Sequence, residues 1–492
     1  MKPTIMKFGG TSLEGATAFQ NAARIVAERQ TLRPVVVVSA MARFTDTLLG
    51  SVQQALNADA ATAAATLEKH FNRHLRVIDA LLSNEAPRMR QRVDQSRVEI
   101  SDLLQAVAAE ADQAEGNQTE ANQSRKRRKL LADAVASHGE RLSAALLAAV
   151  LTDNKVSATD VDARRCIITD DEYGCATPLL KETFKSTQAE LLPLIESTAI
   201  PVLGGFIGST ASGETTTLGR GGSDYTAALV GAALDAEEIQ IWTDVPGVLT
   251  ADPRVAPKAR TVPKLSFEEA AELAYFGAKV LHPKTLQPAI ERNIPVRICN
   301  SRAQESGSTL VVAETEKSPQ TVKAIAHKTG VTTVQVTSAR MLGAYGFLRA
   351  LFEVFDQHRT AVDVVTTSEV SVSLSLDDTS ALPSIVGDLE KLGSVSVEEK
   401  RAILCIVGEG LRSTPGIAAR IFSTISDINV SLISQGASRI NLTFAVEESR
   451  AREAVTRLHR EFFENADREE SVATGINTDV ERQYSSDVGI VR

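Results

Sequence analysis

Short apolar runs and helically spaced apolar positions alternate along the first part of the chain. Residues 4–8, "TIMKF", make a compact apolar run that stops at two glycines. Phe19, Ala22, Ala23 and Val26 follow at helical spacing. "PVVVVSA" is then an unbroken β-branched run, as expected of a strand covered on both faces. This strand–helix–strand order predicts a parallel sheet with helices on its faces. Residues 51–150 are rich in Ala, Gln, Glu and Arg and predict a helical section at one sheet edge. From 200 to 300 the earlier rhythm returns. "IPVLGGFIG", "EIQIWTD" and "IPVRICN" read as strands ending in glycine or polar residues. In open α/β sheets, ligands sit beyond such carboxyl ends.

A polar stretch near 302–320 reads as a linker, and the pattern then changes. "GFLRALFEVFDQH" is an amphipathic helix, and "EVSVSLSLD" alternates strictly, as a half-buried antiparallel strand does. "AILCIVGEG", "GIAARIFSTI", "VSLISQGASRINLTFAV" and "AREAVTRLHREFF" repeat the order strand–helix–strand–strand–helix. The predicted division is a catalytic domain over 1–305, a linker over 306–325, tandem α+β modules over 326–398 and 399–470, and a polar tail over 471–492.

Composition narrows the function. At 492 residues the chain exceeds one ordinary domain, and 43% hydrophobic residues suffice for packed cores. A net charge of -9 and 4% aromatic residues argue against nucleic-acid partners. "RKRRK" (125–129) reads as a solvated helix face. The opening apolar stretch is too short for a secretory signal, and no window of 18 apolar residues suggests a membrane span. The expectation is a soluble cytoplasmic enzyme. Cys166, Cys175, Cys299 and Cys405 are scattered and read as small buried hydrophobes. The seven histidines show no zinc-ligand spacing; His138, beside Gly139, could lie near the site.

The densest chemical signal is "TTTLGRGGSDYTAAL" (215–229). Ser223 or Asp224 can cap the helix that follows, and Arg220 can grip a carboxylate bidentately. Lys7 beside Gly9 and Gly10 offers a cation and close backbone N–H groups to a phosphate. No GxxxxGK[ST] occurs, so this is not a Walker A loop, and no GxGxxG follows the first strand.

"KFGGTS", "GERLS" (139–143), "TTTLGRGGSD", "WTDVPGVLTADPR" (242–254) and "FGAKVLHPKT" (276–285) occur in this order. Together they closely resemble aspartate kinases of the amino-acid kinase superfamily, and the C-terminal pair resembles their ACT regulatory domains. With no dehydrogenase-like segment after the second module, the chain looks like the monofunctional type. The resemblance implies an αβα sandwich with a mainly parallel central sheet, followed by two ferredoxin-like ACT domains. It implies transfer of a phosphoryl group from ATP to L-aspartate, giving 4-phospho-L-aspartate and ADP. Aspartate's side chain, with a pKa of about 3.9, is already ionised at pH 7. The obstacle is repulsion from the triphosphate: two unit charges about 4 Å apart cost roughly 4 kcal/mol at an effective dielectric near 20.

By resemblance, Lys7 and Asp224 are catalytic, with Asp224 orienting Lys7 or the acceptor. Thr45, Glu140, Arg220 and Ser223 would bind aspartate, with Glu140 on its ammonium group or organising Lys7. Lys7, Gly9, Gly10, Thr243, Asp244, Leu249, Arg254 and Lys279 would line the ATP site, and Mg²⁺ would arrive with ATP. Met341, Phe347, Leu348, Asp363, Ser368 and Glu369 would form an effector site, with L-lysine the expected effector and a homodimer or homotetramer formed through the ACT domains. Three positions depart from the family pattern: Arg43 replaces a glycine in "SAMARFTD", Leu249 a tyrosine, and Ala361 a serine. The rival readings are a kinase of the same superfamily with another acceptor, and an amino-acid sensor that keeps the fold without activity.

Overall fold

The computed structural model describes residues 2–57, 59–112, 118–277, 283–315, 321–343 and 345–465. The predicted tail over 471–492 lies outside them. The chain forms two compact units. The first comprises Met1–Val248, Pro263–Phe267 and Val280–Glu314; the second comprises Leu249–Val262, Glu268–Lys279 and Thr315–Arg492.

The strands of the first unit are β1 (Thr4–Phe8), β2 (Pro34–Val38), β3 (Ala158–Val161), β4 (Ile168–Thr169), β5 (Ile200–Gly204), β6 (Ile207–Thr210), β7 (Thr215–Thr217), β8 (Glu238–Thr243), β9 (Lys264–Ser266), β10 (Val296–Asn300) and β11 (Ser308–Val312). Eight of them form one sheet in the order β3-β5-β2-β1-β8-β10-β11-β9. All its pairings are parallel except β10 with β11. Every residue of β1, β2 and β5 is buried, which is why these strands read as unbroken apolar runs. β11 lies inside the stretch read as a linker. Its "STLVV" alternates in burial and adds to the sheet beside β10, so polar flanks hid a genuine strand. A small separate sheet, β4-β6-β7, carries the three threonines that lead into the glycine-rich loop.

The helical section comprises Phe44–Asn57, Ala60–Ala65, Glu68–Leu81, Ala86–Asp112 and Gln118–Asp153. Their buried side chains share one core with Met6, Phe8, Val36 and Val202 of the sheet. Within the basic run, Lys126 pairs with Asp171, and Arg127 lies 2.6 Å from Glu110, so two of its charges are neutralised on the helix face.

The second unit holds β12 (Ala324–Thr337), β13 (Val365–Thr367), β14 (Ser371–Leu376), β15 (Ser394–Val407), β16 (Val430–Gln435) and β17 (Asn441–Glu447). They form one six-stranded sheet, β13-β14-β12-β15-β17-β16. β12 and β15 are each 14 residues long and run antiparallel along their whole length, with a bulge near Lys328–Val331. The predicted tandem arrangement is therefore corrected. The later halves of β12 and the early half of β15 complete the first module with β13 and β14. The end of β15 joins β16 and β17, and the missing fourth strand of that second module is the start of β12, which precedes the first module in sequence. The expected boundary at 398/399 falls inside β15. Periodicity locates strands but not their partners, so this exchange had no sequence signature. Each half keeps its own core: Val334, Leu351, Phe355 and Leu374 in one, Ile325, Leu404, Ile406 and Phe444 in the other.

Ile325→Ala should therefore loosen the second module, although it precedes the first. Its side chain is 2% exposed, and such a truncation costs about 2–5 kcal/mol. Hydrogen exchange should show lost protection over 441–447 before any loss over 371–376.

Candidate active site

β1 lies at the centre of the sheet, between β2 and β8, so Lys7 is fixed opposite Val37 and Ile241. Its Nζ lies 2.7 Å from Asp224 Oδ1, and the two side chains are only 11% and 16% exposed. Asp224 stands in the first turn of the helix Gly222–Ala233. The expected side-chain cap is corrected here: the cap position is Gly221, with φ of 75°, and neither Ser223 nor Asp224 caps. Gly219 also has a positive φ, 73°, so the loop turns through conformations that glycine alone adopts cheaply. Both polar side chains are thereby left for a cavity of about 330 Å³, lined also by Gly10, Arg43, Thr45 and Glu140. Close backbone packing sets its walls. A Cβ on Gly10 would come within 2.9 Å of the Ala40 carbonyl oxygen, and one on Gly205 within 2.7 Å of Ser223.

Glu140 is 3% exposed, on the helix Gln118–Asp153. Burial pushes its carboxyl up to about 8, against the opposing pull of the Ala40 N–H and the Thr45 hydroxyl. Thr45 Oγ1 donates to Oε1 at 3.2 Å, while Oε2 has no hydrogen-bond partner among the described residues. A buried carboxyl with a free oxygen in a polar cavity is a ready partner for a cation. Arg220 is exposed between Gly219 and Gly221, with no ion pair among the described residues. His138 lines a different cleft, with Glu99 and Arg141, so it is not part of this cavity.

On the other side of β1, Thr243 and Asp244 stand at the carboxyl end of β8. Ser12 Oγ lies 3.2 Å from the Trp242 carbonyl oxygen and 2.8 Å from Ser301 Oγ, and Ser301 N–H donates to the Thr243 carbonyl at 2.8 Å. These bonds tie the segment after the glycine pair to the ends of β8 and β10. The Gly9 N–H, expected to face a phosphoryl group, instead donates to the Trp242 carbonyl at 3.0 Å. Its role here is to join two strand ends.

Comparison with known proteins places this geometry in a family. The amino acid kinase family matches residues 2–300, and an ACT domain matches residues 404–462. The lysine-sensitive aspartokinase 3 of Escherichia coli (strain K12) is 36% identical over 468 residues, spanning 94% of this chain and 99% of that protein. The chain belongs to the aspartokinase family. Two crystal structures of Escherichia coli aspartokinase III are similar, each 35% identical and covering 94% of this chain and 100% of that one. The complex with aspartate and ADP (R-state) has a TM-score of 0.78, and the complex with lysine and aspartate (T-state) one of 0.76.

The remaining predicted residues of this aspartokinase-family chain are dispersed. Leu249 and Arg254 belong to the second unit, where Arg254 is exposed and its Nε and Nη2 engage Asp252 at 3.0 and 2.7 Å. Lys279 lies outside the described residues. Met341 and Phe347 are partly buried against the first module's core, whereas Leu348, Ser368 and Glu369 are exposed. Asp363 accepts a hydrogen bond from the Tyr275 hydroxyl, and Lys328 Nζ lies 3.9 Å away. Cys166, Cys299 and Cys405 are buried, but Cys175 is exposed, on the loop against Gly219. No helix among the described residues is long and apolar enough to cross a membrane.

Sequence reasoning missed Asp133. Its carboxylate accepts from the N–H groups of Gly174 and Thr217 at 2.9 Å and from Thr217 Oγ1 at 2.7 Å, anchoring β7 just ahead of the glycine-rich loop. Burial pushes it up to about 6. No local pattern marks a helical aspartate that binds a strand so distant in sequence.

The raised Glu140 carboxyl has a measurable consequence. Between its ordinary value of 4.5 and about 8, the folded protein holds a proton that the unfolded chain has lost. Its contribution to stability is full below 4.5 and is lost as pH rises through about 8. Glu140→Gln, which cannot ionise, should flatten the fall of Tm between pH 5 and 8.5 measured without substrate. An unchanged slope would refute the raised value.

Proposed function

We propose that this aspartokinase transfers the ATP γ-phosphoryl group to the β-carboxylate of L-aspartate, giving 4-phospho-L-aspartate and ADP, under feedback control by an amino acid. The observation that carries this reading is the sheltered Lys7–Asp224 pair, whose Asp224 lines a cavity shared with the buried Glu140. The chemistry asks for charge compensation and positioning rather than a base. A β-carboxylate oxygen forms the new bond to phosphorus as the bond to the ADP oxygen breaks. The Lys7 side chain would offset the negative charge shared by these oxygens, and Asp224 would hold it in place.

Substrate binding follows from the same walls. The α-ammonium of aspartate would approach Glu140, which then ionises and passes its proton to solvent. Arg220 would take the α-carboxylate, and Thr45 and Ser223 would supply hydroxyls. Thr243 and Asp244 would border the nucleotide beyond β8. Among the described residues, no three His, Cys, Asp or Glu side chains gather as a metal site. Mg²⁺ would arrive with ATP, held by nucleotide oxygens and water, and would add Lewis-acid charge at the phosphates.

For regulation, Asp363 is the natural partner for an effector ammonium group, and lysine is the effector we propose. Tyr275 bonds this carboxylate, so an effector at Asp363 would be felt at Tyr275. Exposed Leu348, Phe352 and Val365 on the first module suit pairing of ACT domains between two copies.

ADP release should require aspartate, and glutamate or acetylglutamate should not replace it. Lys7→Met should lower kcat about 10²–10³-fold, the scale of losing one preorganised charge-stabilising group, while KM for aspartate moves little. Tight lysine binding without turnover on any acceptor would favour the sensor.

Lysine should suppress turnover, and Asp363→Asn should raise the lysine concentration needed for half-inhibition about tenfold, as expected for loss of a charged hydrogen-bond partner. Tyr275→Phe should keep lysine binding, measured by calorimetry, but weaken inhibition. Inhibition unchanged in both variants would remove Asp363 from the effector site.

A further inference from the structure

Arg43 stands where the family pattern has glycine, and its backbone shows why glycine suits that position. Its φ is 67°, in the left-handed region that side-chain-bearing residues seldom occupy. Such a conformation persists only where the surroundings over-determine it. Here both flanking carbonyls are held. The Arg43 carbonyl accepts from Thr47 Oγ1 at 2.9 Å and from the Thr47 N–H at 3.2 Å. Thr47 Oγ1 in turn lies 3.0 Å from His70 Nε2, and the His70 ring stacks on Phe44 with 4.9 Å between centroids. The Ala42 carbonyl accepts from Arg73 Nη1 at 3.0 Å. The other terminal nitrogen, Nη2, donates to the Glu14 carbonyl at 2.8 Å. His70 and Arg73 come from one helix, Glu68–Leu81, which contributes no side chain to the cavity itself.

One guanidinium thus bridges two backbone segments that meet at the active site. Glu14 ends the short helical turn that follows Lys7 and the glycine pair. Ala42 belongs to the turn that carries Arg43 and leads into the helix bearing Thr45, both of which line the cavity. The Ala42 N–H also donates to the Gly10 carbonyl at 3.2 Å, so the two segments touch directly as well. Arg suits this task because its rigid planar fork presents two parallel donors, which a lysine cannot reproduce.

We infer that Arg73 is a positioning residue, which locks the 40–43 turn at the start of the helix Phe44–Asn57 to the Gly10–Glu14 segment and holds Arg43 left-handed, with its guanidinium at the mouth of the cavity for a carboxylate of the acceptor. The inference rests on the proposed reading of this cavity as the aspartate site. Arg43 is exposed and has no ion pair among the described residues, so its charge is available. Loosening the turn would disturb acceptor binding first, because the ties of β8 to Ser12 and Ser301 do not pass through Arg73.

The test is a double-mutant cycle of Arg73→Met and Arg43→Gly in the full chain, reading kcat and KM for both substrates. Arg73→Met should raise KM for aspartate about tenfold and leave KM for ATP within about twofold, a coupling in the usual range for residues of one network. In the Arg43→Gly background, where a positive φ costs little, the same change should raise KM for aspartate only about twofold. Equal losses in the two backgrounds, or matched losses for aspartate and ATP, would overturn the inference. If Arg73→Met fails to fold, Arg73→Lys enters the same cycle and is judged by the same two criteria. Absence of aspartate turnover in the parent protein would instead defeat the functional reading.

Discussion

An ion pair sheltered from water needs its geometry imposed from outside, and the Lys7–Asp224 pair obtains it from the sheet. Removing one member of such a pair typically costs about 3–5 kcal/mol, because the other is left buried and uncompensated. Lys7 cannot drift, since β1 is hydrogen-bonded on both edges. Asp224 cannot drift either, since the helix that carries it begins against the end of β5, where a Cβ on Gly205 would overlap Ser223. The parallel order of β5, β2, β1 and β8 brings their carboxyl ends to one line, and the cavity forms along it.

Much of this framework was legible in the residues. β1, β2 and β5 are buried along their whole length, so burial itself writes an unbroken apolar run. The cluster around Arg220 and Asp224 stood out because glycine, hydroxyl and charged residues seldom crowd together ahead of an apolar helix. Other parts had no local signature. The helix start at Gly221 depends on backbone sign, and "GGSD" offers two conventional caps that the chain does not use. β11 is brief and set between polar stretches. Asp133 and Arg73 act on carbonyls and amides far away in sequence, and a contact of that kind is a property of the fold alone. Glu140 was identifiable from its motif, but its uncharged state follows from burial, which no motif displays.

The cavity shows how a site rich in charged groups limits the cost of burying them. Lys7 is paired with Asp224, burial favours the protonated form of Glu140, and Arg43 and Arg220 are exposed to water. A buried charge without a partner would be costly. An amino acid bearing both charges is the kind of ligand for which each wall has a matching response.

The exchanged strand of the regulatory unit has a consequence for how the protein is made. The Ala326–Cys405 pairing spans roughly 80 positions, about 4–16 s of translation at 5–20 residues per second. During that interval the start of β12 waits with its apolar side chains unmatched, while the first module's helices and hairpin emerge and can already pack against the later half of the same strand. The module that begins last can close only on a segment made first. Closure of the second module is thus a late event of synthesis, and neither half could be gained or lost in evolution without remaking the edge of the other.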